Sequence, residues 1–110
     1  MTETIRQGIV ESLLAAATTT GDGTVYALPY SKGGLKISWQ IGTTGSPSGI
    51  SSTIQISLDK TVWATIDTST ATAGEVRVIA ALVVAKFIKV NLGTLTSGTA
   101  PTVTITMLAC

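Results

Sequence analysis

The chain has 110 residues and a formal net charge of +1; charged side chains make up 12% of it and apolar ones 45%. That length suits one domain with a single core, and the composition is too apolar for a disordered chain and too neutral to hold nucleic acid by neutralising phosphates. Histidine is absent and the single cysteine is Cys110, which excludes an internal disulfide framework and metal sites built on His or Cys.

The first eight residues, MTETIRQG, have mixed polarity and are set apart as an N-terminal arm, with 9–110 as the single domain. The arm lacks the apolar stretch of a signal peptide. No run reaches the roughly 18 apolar residues of a membrane helix. Neither a cleaved leader nor a membrane partner is expected.

The segment IVESLLAAATTT (9–20) can be read two ways. Its Leu and Ala suit a helix, whereas the Thr run and the following GDG suit a strand. The strand is favoured because an edge partner is otherwise missing. TVYALP (24–29) reads as a strand ended by Pro29, or lying on a sheet edge. From there the period is two. Leu35, Ile37, Trp39 and Ile41 alternate with Lys36, Ser38 and Gln40, and Ile54, Ile56 and Leu58 with Thr53, Gln55 and Ser57. Val76, Val78 and Ala80 alternate with Glu75, Arg77 and Ile79, and Ile88, Val90 and Leu92 with Phe87, Lys89 and Asn91. Val103, Ile105 and Met107 alternate with Thr102, Thr104 and Thr106. Such alternation predicts strands with one buried face. Turn signals separate them at 20–23, 31–34, 42–49, 58–61, 70–74 and 96–101. About eight strands and no long helix predict an all-β fold. Its expected form is a two-sheet antiparallel β-sandwich of jelly-roll type. An outer-membrane barrel is set aside, because aromatics are only 5% of the chain.

Chemistry is sparse. The six carboxylates are scattered, with no pair placed across one cleft for a glycosidase. With no histidine, nucleophilic catalysis lacks its usual base. Residues 20–24 offer one carboxylate, too few for calcium. No enzymatic activity and no cofactor are expected, and Cys110 reads as an incidental thiol.

Three places invite a partner. Trp63 falls out of phase with Val62, Ala64 and Ile66. It either packs over its own hairpin or offers a platform to a sugar or a partner chain; own packing is the favoured reading. Trp39 is in phase with its neighbours and reads as core. Tyr26 and Tyr30 flank Leu28 and line either a groove or an ordinary sandwich rim. The run VIAALVVAKFI (78–88) is more apolar than one strand face can hide. It is either packed on its own sandwich or covered by a neighbouring subunit through Leu82, Val83 and Val84.

The combination of LLAAATTTGDGT, STIQISLDKTVW, KFIKVNL and SGTAPTVTITML resembles a family of small bacteriophage virion domains, found in head decoration (cement) proteins and in tail or fibre proteins. The resemblance covers about residues 10–109. It implies a jelly-roll sandwich and supports the strand at 9–20. It also implies a structural virion protein made in the host cytoplasm and mounted on the outer head surface. Its partners would be the major capsid protein and itself, as a homotrimer at local three-fold positions. The arm would lie on the shell or on an adjacent copy. The alternative within the family is a tail or fibre module holding host carbohydrate through Trp63, Tyr26, Tyr30 and Lys60. One departure stands out: the family's hairpin carries Asp-Gly, and here it is Asp59-Lys60. Lysine disfavours positive φ, so a longer turn, or a type I turn with a bulge, is expected, with Lys60 exposed at its tip.

Overall fold

The computed structural model describes residues 3–110. The alternating, β-branched segments form nine strands: β1 (Glu11–Ala17), β2 (Gly21–Asp22), β3 (Tyr26–Ala27), β4 (Ile37–Thr44), β5 (Gly49–Ser57), β6 (Ala64–Ser69), β7 (Glu75–Val78), β8 (Phe87–Thr96) and β9 (Thr102–Ala109). One sheet has the order β1-β9-β4-β7 and the other β2-β8-β5-β6, with β3 also on β8. Every strand pairing is antiparallel. Strands β2 and β3 lie along one edge of β8, with Asp22 opposite Asn91 and Tyr26 opposite Ile88. They are two halves of one interrupted strand. Eight strand positions in two facing sheets, in this order, make the jelly roll expected from the sequence.

The interruption has a local cause. The Gly23 amide donates to the Val90 carbonyl at 2.8 Å, and the next amide, Thr24, turns to the Leu13 carbonyl at 3.0 Å. A Cβ on Gly23 would lie 2.2 Å from the Leu13 oxygen, so only glycine fits where the two sheets come together.

The core is the inner face of both sheets. Ile37, Trp39, Ile41, Val103, Ile105 and Met107 come from one sheet, and Ile54, Ile88, Val90 and Leu92 from the other. The segment at 9–20 is a strand, with Leu13 buried. The alternation misleads in β7. Arg77 lies opposite Trp39 and Glu75 opposite Ile41, which puts both charged residues on the inner-facing side. Val76 and Val78 face outward, 64% and 73% exposed. The reason is position: β7 is an edge strand, and its inner rim meets carboxylates rather than core. Leu58 is also corrected. It lies past the end of β5 and is 73% exposed, not in the core.

Several turns are shorter or longer than their signals. Strand β4 runs to Thr44 and β5 starts at Gly49, which leaves 45–48 as the turn. The signal at 20–23 contains β2. Residues 1 and 2 of the N-terminal arm lie outside the described residues. The rest of the arm is built into the domain: Ile5 is fully buried, and Thr4 makes a parallel bridge to Ala27. The molecule extends 44 × 24 × 20 Å. A ten-residue strand such as β8 rises roughly 33 Å, so the long axis follows the strands.

Candidate functional site

Three connections meet at one end of the long axis: 28–36 between β3 and β4, 58–63 between β5 and β6, and 79–86 between β7 and β8. Antiparallel pairing brings them together, since Ser57 lies opposite Phe87 and Ser38 opposite Val78. Leu35 and Val83 exchange two backbone hydrogen bonds of 2.8 Å, and the Lys86 amide donates to the Ser57 carbonyl at 3.1 Å. Between the 58–63 and 79–86 connections lies a cavity of about 400 Å³, lined among others by Ile56, Leu58, Val62, Val84 and Ala85. A smaller recess beside it is walled by Pro29, Tyr30 and the same Val84 and Ala85. Large apolar side chains stand uncovered around both: Leu58, Val62, Leu82, Val84 and Tyr30 are 55–89% exposed. Scattered apolar residues are ordinary on a surface, but a contiguous group around a groove marks a contact site.

The 58–63 loop is held rigidly. Ser57 Oγ accepts from the Lys60 amide at 2.9 Å, and Asp59 Oδ1 accepts from the Thr61 and Val62 amides at 2.8 and 3.0 Å. These amides, Val62 first, hold the Asp59 carboxyl below its ordinary value. The connection is a longer one, as expected for a lysine in place of glycine. Yet Lys60 does adopt φ +66°, the conformation lysine disfavours, because the side-chain caps determine the backbone. Lys60 is exposed at the tip, with its ammonium 5.0 Å from the Phe87 ring centre.

The residues expected to be functional divide. Val83 is 4% exposed, so it belongs to its own core and not to a subunit contact; its bridge to Leu35 turns it inward. Leu82 and Val84 on either side remain exposed. Tyr26 and Tyr30 do not share a groove. Tyr26 is half-buried, donates to the Ser12 carbonyl at 3.3 Å and has its phenol pKa raised by burial. Tyr30 is 89% exposed. Trp63 is half-buried, outside the sandwich core. Its indole N–H donates to the Lys60 carbonyl at 3.1 Å, and the Lys89 ammonium sits 4.4 Å from its ring. It therefore folds over its own hairpin, on the sheet's outer face. Lys89 also pairs with Asp22 at 3.0 Å. Hydrogen bonds from Asn91 and Lys89 keep the Asp22 carboxyl below its ordinary value.

A second cluster was not legible as a site. Asp67 of β6 and Arg77 of β7 belong to different sheets, and they join the two edge strands. Arg77 donates to both Asp67 oxygens, at 2.8 and 3.0 Å, and to Glu75 at 3.1 Å. The buried Trp39 indole donates to Asp67 at 2.8 Å, and Ser69 donates to Glu75. Arg77 lowers the Asp67 pKa, and Ser69 followed by Arg77 lowers that of Glu75. Every polar group here is engaged by its neighbours, so the cluster is a seam rather than a reactive site. Among the described residues no group of three His, Cys, Asp or Glu is placed to hold a metal ion.

No known protein family matches the sequence, and no curated protein does. Among solved structures, the crystal structure of the SPBc2 prophage-derived protein YomS is similar, with a TM-score of 0.58 over 93% of this chain and 92% of that one, at 11% identity. The likeness is one of fold, shared with a prophage-derived protein along almost the whole length of both chains.

Proposed function

We propose that the chain is a non-enzymatic structural protein of a phage particle, a decoration protein that seats on the outer head surface and strengthens contacts between capsomers. The observation that carries this reading is the uncovered apolar end formed by Leu58, Val62, Leu82, Val84 and Tyr30. It suits a protein that acts through contact area rather than chemistry, and the fold shared with a prophage-derived protein agrees with it. The partner is the major capsid protein. The homotrimer seam expected from the sequence has lost Val83 to the core, and we assign Leu82 and Val84 to the shell contact.

An electron-microscopy map of the intact particle tests the proposal. Density for this sandwich on the outer head supports it; density confined to a tail or fibre refutes it. The carbohydrate reading retains one specific observation, the exposed Tyr30 ring beside Pro29. Glycan-array binding lost in Tyr30→Ala would favour that reading instead.

A further inference from the structure

The two ends of the sandwich differ in charge. Connections 45–48, 70–74 and 97–101, at the far end, contain no charged residue. Connections 28–36, 58–63 and 79–86 contain Lys32, Lys36, Lys60 and Lys86 against Asp59 alone. Four positive charges less one negative give +3, where the whole chain carries +1. Lys32, Lys36 and Lys86 are exposed and enter none of the ion pairs among the described residues, which use Arg6, Arg77 and Lys89. Lys32 stands at the tip of the turn closed by the Gly34 amide on the Ser31 carbonyl. Lys86 lines a further recess with Pro29, Tyr30 and Ala85. None of the lysines lines the cavity of Leu58, Val62 and Val84, but Lys60 and Lys86 each stand next in sequence to a residue that does, Asp59 and Ala85.

We infer that this end docks onto an acidic protein surface, one that offers an apolar side chain to the cavity and carboxylates to the lysine rim. The inference deepens the proposed function and rests on its reading of this end as the docking face. Charge selects the occupant. A second copy docked face to face would bring two lysine rims together, and one docked head to tail would meet an end with no carboxylate. The open cavity of about 400 Å³ offers room for an apolar side chain of that partner. Rim charges of this kind govern encounter rate and salt dependence, and the filled cavity governs residence.

The test is an NMR titration of the ¹⁵N-labelled full chain with two acetylated hexapeptides, DDLLDD and KKLLKK. The acidic peptide is expected to shift the amides of Val62, Val84 and Lys86. Binding should be weaker by roughly fivefold or more for the basic peptide, and weaker at high salt. The variant K32E/K36E/K86E should lose the acidic peptide while keeping its melting temperature. K86Q, the milder change, should weaken it in the same direction, and Val84→Ser should weaken both peptides. Equal binding of the two peptides overturns the inference. So does binding to phosphatidylglycerol vesicles in place of the acidic peptide, which would assign the end to a membrane. The particle map separates the two proposals. A chain on the head with this end turned outward and bare refutes the docking inference and leaves the decoration reading standing. A chain absent from the head that still prefers the acidic peptide does the reverse.

Discussion

Arg77 grips Asp67 across the open side of the sandwich, with Nε on one carboxylate oxygen at 2.8 Å and a terminal nitrogen on the other at 3.0 Å. No backbone ladder joins β6 to β7, because they are edge strands of different sheets. This two-pronged pair spans the gap together with the Ser69–Glu75 hydrogen bond, and the Asp67 carboxylate also receives the Trp39 indole.

Asp67→Ala should therefore cost more than an exposed ion pair does. It leaves the buried Trp39 N–H without its acceptor, at about 1–3 kcal/mol. For a domain of this size each kcal/mol lowers the melting point by roughly 4 °C. Thermal melts followed by circular dichroism read the loss. An unchanged melting point would show that the seam contributes nothing.

The same carboxylates set the acid limit. Asp67 and Glu75 titrate below their ordinary values of 3.8 and 4.5. A depressed folded-state pKa contributes stability that is fully present above the unfolded value and disappears as pH falls through the folded one. Stability should be flat around neutrality and should decline below about pH 4.5. In Asp67→Asn that decline should be shallower. Urea midpoints measured between pH 7 and pH 2.5 check the difference in slope.

The two tryptophans should separate cleanly. Trp39 is 1% exposed in the centre of the core, and Trp39→Ala should cost about 3–5 kcal/mol. Trp63 has one hydrogen bond and one cation–π contact outside the core. Trp63→Ala should cost about 1–2 kcal/mol and leave a folded protein. In the wild type, acrylamide should quench the Trp63 fluorescence and leave that of Trp39 shielded. Unfolding of the Trp63 variant would give that indole a larger role than its half-exposed position allows.

Gly23→Ala tests the broken strand. The added methyl would meet the Leu13 carbonyl oxygen at 2.2 Å. Sheet and strand must move apart, at about 1–3 kcal/mol. Hydrogen exchange should quicken at Thr24, whose amide rests on that carbonyl. A variant as stable as the parent would mean that the crossing point yields easily.

Most of the sandwich could be read from periodicity, because β4, β8 and β9 each bury one face and leave the other mostly half-buried. The jelly-roll pairing follows from eight such positions joined by short turns. Edge strands escaped the pattern. In β7 the inner face is satisfied by Asp67 instead of by core, so its valines alternate on the wrong side. The uncovered apolar end was half legible: the surplus of apolar residues at 78–88 pointed to it. The Val83 bridge to Leu35 was not visible, because only the tertiary fold brings those backbones together. Leu58 and Val62 were missed for a related reason. Each falls beyond the end of its strand, where period two no longer assigns a face. Grouping the lysines by connection would have revealed the charged end, had the connections been sorted by which end they occupy.

Under the proposed function, the molecule's proportions would set the outline of the particle. Held by the 28–36, 58–63 and 79–86 end, the chain stands upright on a footprint of about 24 × 20 Å and adds a layer some 44 Å high. Lying on a sheet face, it would add about 20 Å. On the proposed head surface, the two orientations would differ as posts differ from tiles. A radial scattering profile taken with and without the protein would distinguish posts from tiles before any single side chain is resolved.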